Sequence, residues 1–305
     1  MRKVYAIGES LIDIIFSQGD VKAARPGGSM LNSSISLGRV GMETIFFSEF
    51  GTDLGGGYLA EFLEKNRVKT HHIHRYTKGK TAIALAFLNE QGDASYDFYK
   101  SYPEDRLKLT LPEFTPNDIL LFGSFFGIDP AIREKVLKVV KGAKKGGAMI
   151  VYDPNIRKPH AHQLEKLRPY ILENMNLADI VRGSDEDMEI VFGESAVKKL
   201  SQKPQLLNKV LIITRSATGV FLESPLHSAS YPVPQIEVVS TIGAGDNFNA
   251  GLIYGLIRQD VVRETLNNTS PEQWEKIIGY ATAFASEVCM SYDNYISTEF
   301  ARNCC

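Results

Sequence analysis

The sequence of 305 residues is short of cysteine and carries no strong excess of charge. Its three cysteines, Cys289, Cys304 and Cys305, lie near the C-terminus, and no CxxC pair occurs, so we expect neither a disulfide framework nor a zinc or redox pair. Lys and Arg number 34 and Asp and Glu number 36, which gives a formal net charge of −2. This balance argues against nucleic-acid and membrane partners, although backbone N–H groups can still bind a small anion.

The sequence also lacks an apolar run of the roughly 18 residues that a transmembrane helix needs. The first apolar run, Val4–Ile7, meets Gly8 and Glu9 too soon to form the core of a signal peptide. We therefore expect a soluble, reduced protein of the cytoplasm.

Two common nucleotide-binding motifs are missing as well. No GxxxxGK[ST] segment occurs, which excludes a P-loop. The dinucleotide pattern GxGxxG fails at Gly243, because Phe248 stands in place of the third glycine. A nicotinamide-dependent enzyme is therefore disfavoured.

Short apolar runs alternate with helical patterns along most of the chain, which is typical of an α/β fold with a mostly parallel sheet. Uninterrupted runs indicate strands covered on both faces, and they occur at Val4–Ile7, Ile119–Phe122, Ala148–Tyr152, Ile180–Val181 and Val210–Thr214. Apolar spacing predicts helices over 131–145 and 188–200. No repeat or linker divides the chain, so we expect one domain over residues 1–305.

Two segments break this alternation, at about 11–26 and 80–103. Both are predicted to be extended and antiparallel, and in the second the polar and aromatic residues alternate along 95–100. A small sheet beside an α/β body can act as a lid that excludes water from a reaction. A surface hairpin without a role is the alternative.

The segment Gly243-Ala244-Gly245-Asp246 precedes a stretch with helical apolar spacing. Small residues there allow close approach of a ligand, and the N-terminus of a helix favours an anion. The alternative is a tight turn with an acidic residue and no ligand. Nearer the N-terminus, Asp13 and the Pro26–Asn32 segment supply acceptors and donors of the types that bind the hydroxyls of a polyol.

Taken together, these segments resemble the ribokinase-like (PfkB-type) carbohydrate kinases, most closely the fructokinase branch. The resemblance runs from Gly8–Glu9 to beyond residue 285 and includes Ser36–Gly41, Gly51–Gly55, Tyr96–Lys100, Phe122–Ser124 and Asp153–Arg157. It implies a ribokinase-like three-layer α/β/α sandwich with a mostly parallel central sheet and a small β-sheet lid. It also implies ATP-dependent phosphorylation of a primary hydroxyl of a small sugar, with fructose as the expected substrate.

The resemblance implies a role for each matching residue. Asp246 would be the catalytic base, and an anion hole would be formed by the backbone N–H groups of Gly243, Ala244, Gly245 and Asp246. The residues implied to bind the substrate are Asp13, Gly27, Gly28, Asn32 and Arg157. Those implied to bind the nucleotide are Thr214, Ser216, Gly219, Gly243 and Gly245. Mg²⁺ would arrive with ATP, and Asp187 is the candidate residue for contact with it.

The chain departs from the family pattern at four places. Ser240 replaces an Asp that helps to bind a monovalent cation, which calls potassium activation into question. The family's Asn-x-x-Glu motif appears as Ser184–Asp187, a usual glycine is Ser216, and Lys100 stands where fructokinases commonly have Arg.

Two other functions are left open by these departures. A kinase of 2-keto-3-deoxygluconate or another sugar acid is one, because Arg157 suits a carboxylate, and a sugar or nucleotide sensor without turnover is the other. The open edges of a lid also suggest a homodimer through it. We expect His71, His72 and His74 to lie on a solvated segment and not to bind metal, and Trp274 to belong to the core.

Overall fold

The computed structural model describes residues 2–156, 164–194 and 197–304. The strands in this part of the chain are β1 (Lys3–Ile7), β2 (Leu11–Ser17), β3 (Asp20–Gly27), β4 (Glu43–Gly51), β5 (Val68–Tyr76), β6 (Lys80–Leu88), β7 (Ala94–Ser101), β8 (Ile119–Gly123), β9 (Met149–Asp153), β10 (Ile180–Ser184), β11 (Val210–Thr214), β12 (Val220–Glu223) and β13 (Ser228–Tyr231). The helices are α1 (Ser29–Arg39), α2 (Leu54–Lys65), α3 (Arg133–Lys145), α4 (Leu164–Leu177), α5 (Asp185–Phe192), α6 (Val197–Leu200), α7 (Ala244–Arg258), α8 (Pro271–Cys289) and α9 (Thr298–Cys304).

Nine strands form one large sheet in the order β13-β12-β11-β10-β9-β8-β1-β4-β5. Neighbours from β11 to β5 pair in parallel, while β12 and β13 pair antiparallel at one edge. The five predicted apolar strands are β1, β8, β9, β10 and β11. The expected mostly parallel sheet is therefore confirmed.

Helices cover both faces of the large sheet, which explains why its strands are apolar without interruption. On β1, Val4 and Ala6 pack in the core cluster shared with α1, α2, α7 and α8, whereas Tyr5 and Ile7 pack in the cluster shared with α3, α4 and α5. Trp274 of α8 is fully buried in the first cluster, as expected. This arrangement is the three-layer α/β/α sandwich that the resemblance implied.

The remaining four strands form a small sheet in the order β3-β2-β6-β7. Its strands occupy the two segments that broke the α/β alternation, so that prediction is confirmed. The expectation of antiparallel structure needs one correction, because β2 and β6 pair in parallel between two antiparallel hairpins. β2 follows β1 and β6 follows β5, so both enter the small sheet in the same direction from the large parallel sheet.

The single helix predicted over 188–200 is wrong. Helix α5 begins earlier, where the Ser184 side chain accepts a hydrogen bond from the Asp187 backbone N–H and caps the helix. It ends at Phe192, because Gly193 adopts a left-handed conformation with φ of 63°. Residues 197–200 form the separate short helix α6.

Candidate active site

A cavity opens at the carboxyl edge of the large sheet, where the strand order reverses around β1. Ligands of open α/β sheets bind in the crevice that such a reversal creates. Gly8 and Glu9 follow β1 there, and Gly123 and Ser124 lie at the end of β8. The other residues that line the cavity are Leu11, Asp13, Gly28, Ser29, Met30, Asn32, Tyr96, Phe98, Phe125 and Ile242.

The small sheet forms one wall of this cavity. Tyr96 and Phe98 project from the same side of β7, and their rings stack with centroids 5.7 Å apart. The predicted substrate-binding residues Asp13, Gly28 and Asn32 lie on the wall of the same cavity. The fold thus brings together residues that are far apart in the chain.

Asp246, the predicted base, lies in the first turn of α7 and is 3% exposed. Its Oδ1 accepts a hydrogen bond from Ser29 Oγ at 2.6 Å, and its Oδ2 accepts one from Asn32 Nδ2 at 2.8 Å. Asn155 Nδ2 lies 3.4 Å from the same Oδ1. Because Ser29 and Asn32 line the cavity, the carboxylate is held in a defined orientation beside it.

The residue directly before α7, Gly243, has a backbone geometry that only glycine satisfies. Gly243 has a φ of 77°, and a Cβ there would lie 2.7 Å from the backbone oxygen of Asn294. Helix α7 begins at Ala244, whose backbone N–H donates to the Thr241 carbonyl oxygen at 3.2 Å. Gly245 and Asp246 follow in its first turn, and their backbone N–H groups have no acceptor within the helix. Together with the helix dipole, these groups can bind an anion.

Asp13 is buried on β2, and its Oδ2 accepts a hydrogen bond from Asn294 Nδ2 at 2.7 Å. A Cβ on Gly27 would lie 1.9 Å from the same carboxylate oxygen. Gly28 has a φ of 121°, and a Cβ there would lie 2.1 Å from the Glu9 carbonyl oxygen. The two glycines therefore allow β3 to turn into α1 directly beside Asp13.

A buried ion pair lies beneath the start of α7. Arg182, on β10, places Nη1 2.9 Å from Asp153 Oδ2, and its Nη2 donates to Thr214 Oγ1 at 2.9 Å. Asn249 Nδ2 donates to the same Asp153 oxygen at 2.6 Å. Burial raises the pKa of Asp153, and the Arg182 cation opposes that rise.

Arg182 also contacts the predicted anion hole from below. A Cβ on Gly245 would lie 2.8 Å from Arg182 Nη1, and the guanidinium carbon lies 5.2 Å from the centre of the Phe248 ring. The ends of β9, β10 and β11 are thereby tied to α7.

Three of the predicted nucleotide-binding residues, Thr214, Ser216 and Gly219, lie at or just after the end of β11. Thr214 is its last residue and accepts the bond from Arg182, whereas Ser216 lies in an exposed turn. Ser216 has a φ of 44°, a conformation that favours glycine. A Cβ on Gly219 would lie 2.6 Å from the Tyr231 carbonyl oxygen.

Asp187 is buried, and both of its carboxylate oxygens accept hydrogen bonds from the protein. Its Oδ2 accepts from the Ser184 backbone N–H at 2.8 Å, and its Oδ1 accepts from the Ile156 backbone N–H at 2.7 Å. Burial, and then the charge of Asp153, raise its pKa. In this structure the Asp187 side chain therefore holds the loop after β9 in place. Its contact with a metal stays a prediction.

Ser240 is buried beside the loop, and its Oγ accepts a hydrogen bond from the Ile242 backbone N–H at 3.2 Å. Arg157 lies outside the described residues.

Several residues at the site were not singled out from the sequence. Ser29 and Asn155 lie within the Pro26–Asn32 and Asp153–Arg157 segments of the sequence analysis. Arg182 is a charged residue in an otherwise apolar strand, and such a residue can indicate a buried ion pair or a site. Asn294 gave no such signal, although its side chain contacts Asp13 and its carbonyl oxygen accepts from Asn247 Nδ2 at 2.8 Å.

The model of the pfkB family carbohydrate kinases matches residues 1–300 of this chain. The chain belongs to this family. "Probable fructokinase-2" of Arabidopsis thaliana is 28% identical over 295 residues, which span 92% of this chain and 88% of that protein.

Two solved structures share the fold of this family member. A double mutant of fructokinase from Vibrio cholerae O395, with fructose, ADP and a potassium ion bound, has a TM-score of 0.84 at 20% identity, covering 96% of this chain and 94% of the other. Aminoimidazole riboside kinase from Salmonella enterica, with aminoimidazole riboside and an ATP analogue bound, has a TM-score of 0.82 at 21% identity, covering 99% of each chain.

The protein is accordingly a sugar kinase of the pfkB family. In the part of the chain that the structure describes, none of the helices combines the length and the apolar character needed to span a bilayer.

Proposed function

We propose that this kinase transfers the γ-phosphoryl group of ATP to a primary hydroxyl of fructose, with Asp246 as the catalytic base. The observation that carries the proposal is the position of the Asp246 carboxylate. It lies at the start of α7 and is hydrogen-bonded to two residues that line the cavity, Ser29 and Asn32. A carboxylate oxygen of Asp246 can therefore accept a hydrogen bond from a sugar hydroxyl, while the N–H groups at the start of α7 donate to phosphate oxygens.

In the proposed reaction, fructose lies between the small sheet, which contributes Asp13, and helix α1, which contributes Asn32. Asp246 accepts the proton of the attacking hydroxyl as its oxygen forms a bond to the γ-phosphorus. The bond from that phosphorus to the β,γ-bridging oxygen breaks, and ADP leaves. The N–H groups of Gly243, Gly245 and Asp246 stabilise the charge on the phosphate oxygens, whereas the Ala244 N–H is already bonded to Thr241. Arg157 is expected near the sugar or the transferred group.

ATP enters as its Mg²⁺ complex, and its nucleotide part would lie along Thr214, Ser216 and Gly219. The near-neutral chain needs no basic surface for this, because backbone dipoles and the bound Mg²⁺ offset the phosphate charge. We propose that the small sheet acts as the lid, since its residues Tyr96 and Phe98 line the cavity. A single kinase domain, active in the cytoplasm, completes the proposal.

An ADP-release assay tests the substrate. The purified protein is given Mg²⁺-ATP and a panel of ketoses, aldoses, sugar acids and nucleosides, and the highest kcat/KM is expected with fructose. A clear preference for 2-keto-3-deoxygluconate would support the sugar-acid alternative instead. Sugar binding without turnover of any compound would support the sensor.

Asp246→Asn tests the base. Loss of general-base catalysis typically reduces the rate by about 10²–10⁴-fold, so kcat should fall by that factor while calorimetry still detects bound fructose. Asp260→Asn is the matched control, because Asp260 is exposed beyond the end of α7 and has a φ of 51° that Asn tolerates. An Asp246→Asn enzyme with normal kcat would refute the assignment.

We also propose a homodimer through the outer face of the small sheet. This face is strongly apolar: Val21, Phe87 and Tyr99 are 57%, 44% and 61% exposed, and Phe16 stacks on Phe87 with ring centroids 4.9 Å apart. An exposed apolar face of this kind favours association. Light scattering should give a dimer for the native chain and a monomer for Phe87→Asp, while Val238→Asp at another exposed site should stay dimeric. A native monomer would refute this proposal.

A further inference from the structure

An ion pair occupies the wall of the cavity between the large and small sheets. Glu9 follows β1 and lines the cavity, and Lys100 lies near the end of β7. The Lys100 Nζ is 2.6 Å from Glu9 Oε1, and the two side chains are 22% and 16% exposed. The pair therefore joins the small sheet to the body beside the cavity.

The surroundings of the pair hold both charges in place. Tyr102 donates a hydrogen bond from its hydroxyl to the same Oε1 of Glu9. The Lys100 Nζ lies 4.8 Å from the centre of the Phe98 ring and 5.5 Å from that of Phe125, within the range of cation–π attraction. Both rings line the cavity, so the ammonium group lies next to its space.

The charge balance of the cavity follows from this pair. Glu9 neutralises the charge of Lys100. The site has two further acidic side chains, Asp13 and Asp246. Among the described residues at the site, a substrate carboxylate would meet no cation without an acidic partner and would be repelled by the two aspartates. A neutral polyol would meet hydrogen-bonding groups without that repulsion.

We propose that Glu9 is a specificity-determining residue, which masks Lys100 and thereby restricts this kinase to neutral sugars. The inference rests on the proposed function, since it concerns the sugar that enters the same cavity. Removing the negative charge of Glu9 would expose the Lys100 ammonium group to the substrate. Lys100 would then pair with the carboxylate of a sugar acid.

The test compares fructose with 2-keto-3-deoxygluconate in the native enzyme, in Glu9→Gln and in the double variant Glu9→Gln/Lys100→Met. A charged hydrogen bond changes affinity by about tenfold or more. The ratio of kcat/KM for the sugar acid to that for fructose should rise by about this factor in Glu9→Gln and fall back in the double variant. An unchanged ratio in Glu9→Gln overturns the proposal. A gain that persists in the double variant also overturns it, because another cation such as Arg157 would then be responsible.

Glu90→Gln is the matched control, since Glu90 lies in the exposed turn between β6 and β7 and its removal changes the net charge equally. Its substrate ratio should equal that of the native enzyme. Lys100→Met alone supplies a second test if Glu9→Gln does not fold. Lys100→Met leaves the Glu9 carboxylate without its cationic partner, so Glu9 should repel the carboxylate of the sugar acid. The inhibition constant of the sugar acid against fructose should then rise by about tenfold. A constant that stays the same or falls overturns the proposal.

Calorimetry separates failure of this inference from failure of the proposed function. If the native protein phosphorylates none of the sugars, the proposed function fails. The affinities of Glu9→Gln for the two sugars would still decide the role of Glu9. Native turnover of fructose with no change of preference in Glu9→Gln would refute the inference alone.

Discussion

Replacing Arg182 by methionine tests the ion pair that ties three strand ends to α7. The side chains of Arg182 and Asp153 are 7% and 0% exposed. Without the cation, the Asp153 carboxylate stays buried with donors from Asn249 and the Asn155 backbone. Breaking a buried pair by removing one partner typically costs about 3–5 kcal/mol, and we expect the free energy of unfolding to fall by that amount.

Urea unfolding followed by tryptophan fluorescence measures this loss. Trp274 is the single tryptophan and is fully buried, so its emission reports on the core of the sheet and helices. Lys65→Met serves as the control, because the pair between Lys65 and Glu61 is 70% and 66% exposed. Exposed pairs contribute at most about 1 kcal/mol, so this variant should unfold almost as the native chain does.

Two further variants make the reasoning refutable. Asp153→Asn combined with Arg182→Met should recover part of the lost stability, because no uncompensated charge remains buried. Arg182→Lys keeps the charge but cannot reach Asp153 and Thr214 with a planar fork, so it should lie between the native chain and Arg182→Met. A loss below about 1 kcal/mol in Arg182→Met, or no recovery in the double variant, would contradict the assigned role of the pair.

Three other predictions concern ions, pH and backbone strain. Replacing potassium by tetramethylammonium should change kcat little if Ser240 abolishes the cation site; a large loss would show that another group binds the ion. Burial acts to raise the pKa of Asp53, but hydrogen bonds from Thr81 and Gly56 outweigh it and the pKa is lowered, so its stabilising effect is present above the ordinary pKa and is lost at lower pH. Asp53→Asn should therefore cost about 1 kcal/mol at neutral pH, because the amide cannot accept from both the Gly56 and the Thr81 backbone N–H, and less in urea titrations below about pH 4; an equal cost at both would contradict the sign. Ser216→Gly should raise the free energy of unfolding by about 1 kcal/mol by relieving the positive φ, whereas a loss would show that the Ser216 side chain stabilises the turn.

Much of the fold could be predicted from local pattern. The five buried strands are visible as apolar runs because both faces of each are covered, and the small sheet is visible as a break in the alternation. The apolar spacing did not predict the end of α5, because the spacing continues beyond residue 193. The helix ends there because Gly193 adopts a left-handed conformation. The parallel pairing of β2 with β6 depends on strands about 70 residues apart, and local pattern carries no information about such pairing.

The candidate site divides in the same way. Asp13, Gly28, Asn32 and Asp246 belong to short segments that resemble the family's motifs, so the resemblance could propose them from the sequence. Their proximity could not be read from it, because Asn32 and Asp246 are 214 positions apart and meet only after the sheet and helices have packed.

The sequence by itself determined the fold class, the family resemblance and the residue types available for chemistry, because apolar periodicity and short glycine-rich motifs act locally. Only the tertiary structure decided which of these residues meet, since long-range packing places them. Packing brings Arg182 and Asp153 together as an ion pair beneath the loop at Gly243. It also brings Glu9 and Lys100 together as an ion pair at the cavity wall. The charge that a substrate encounters therefore depends on contacts between distant segments, and the near-zero net charge of the chain does not reveal it.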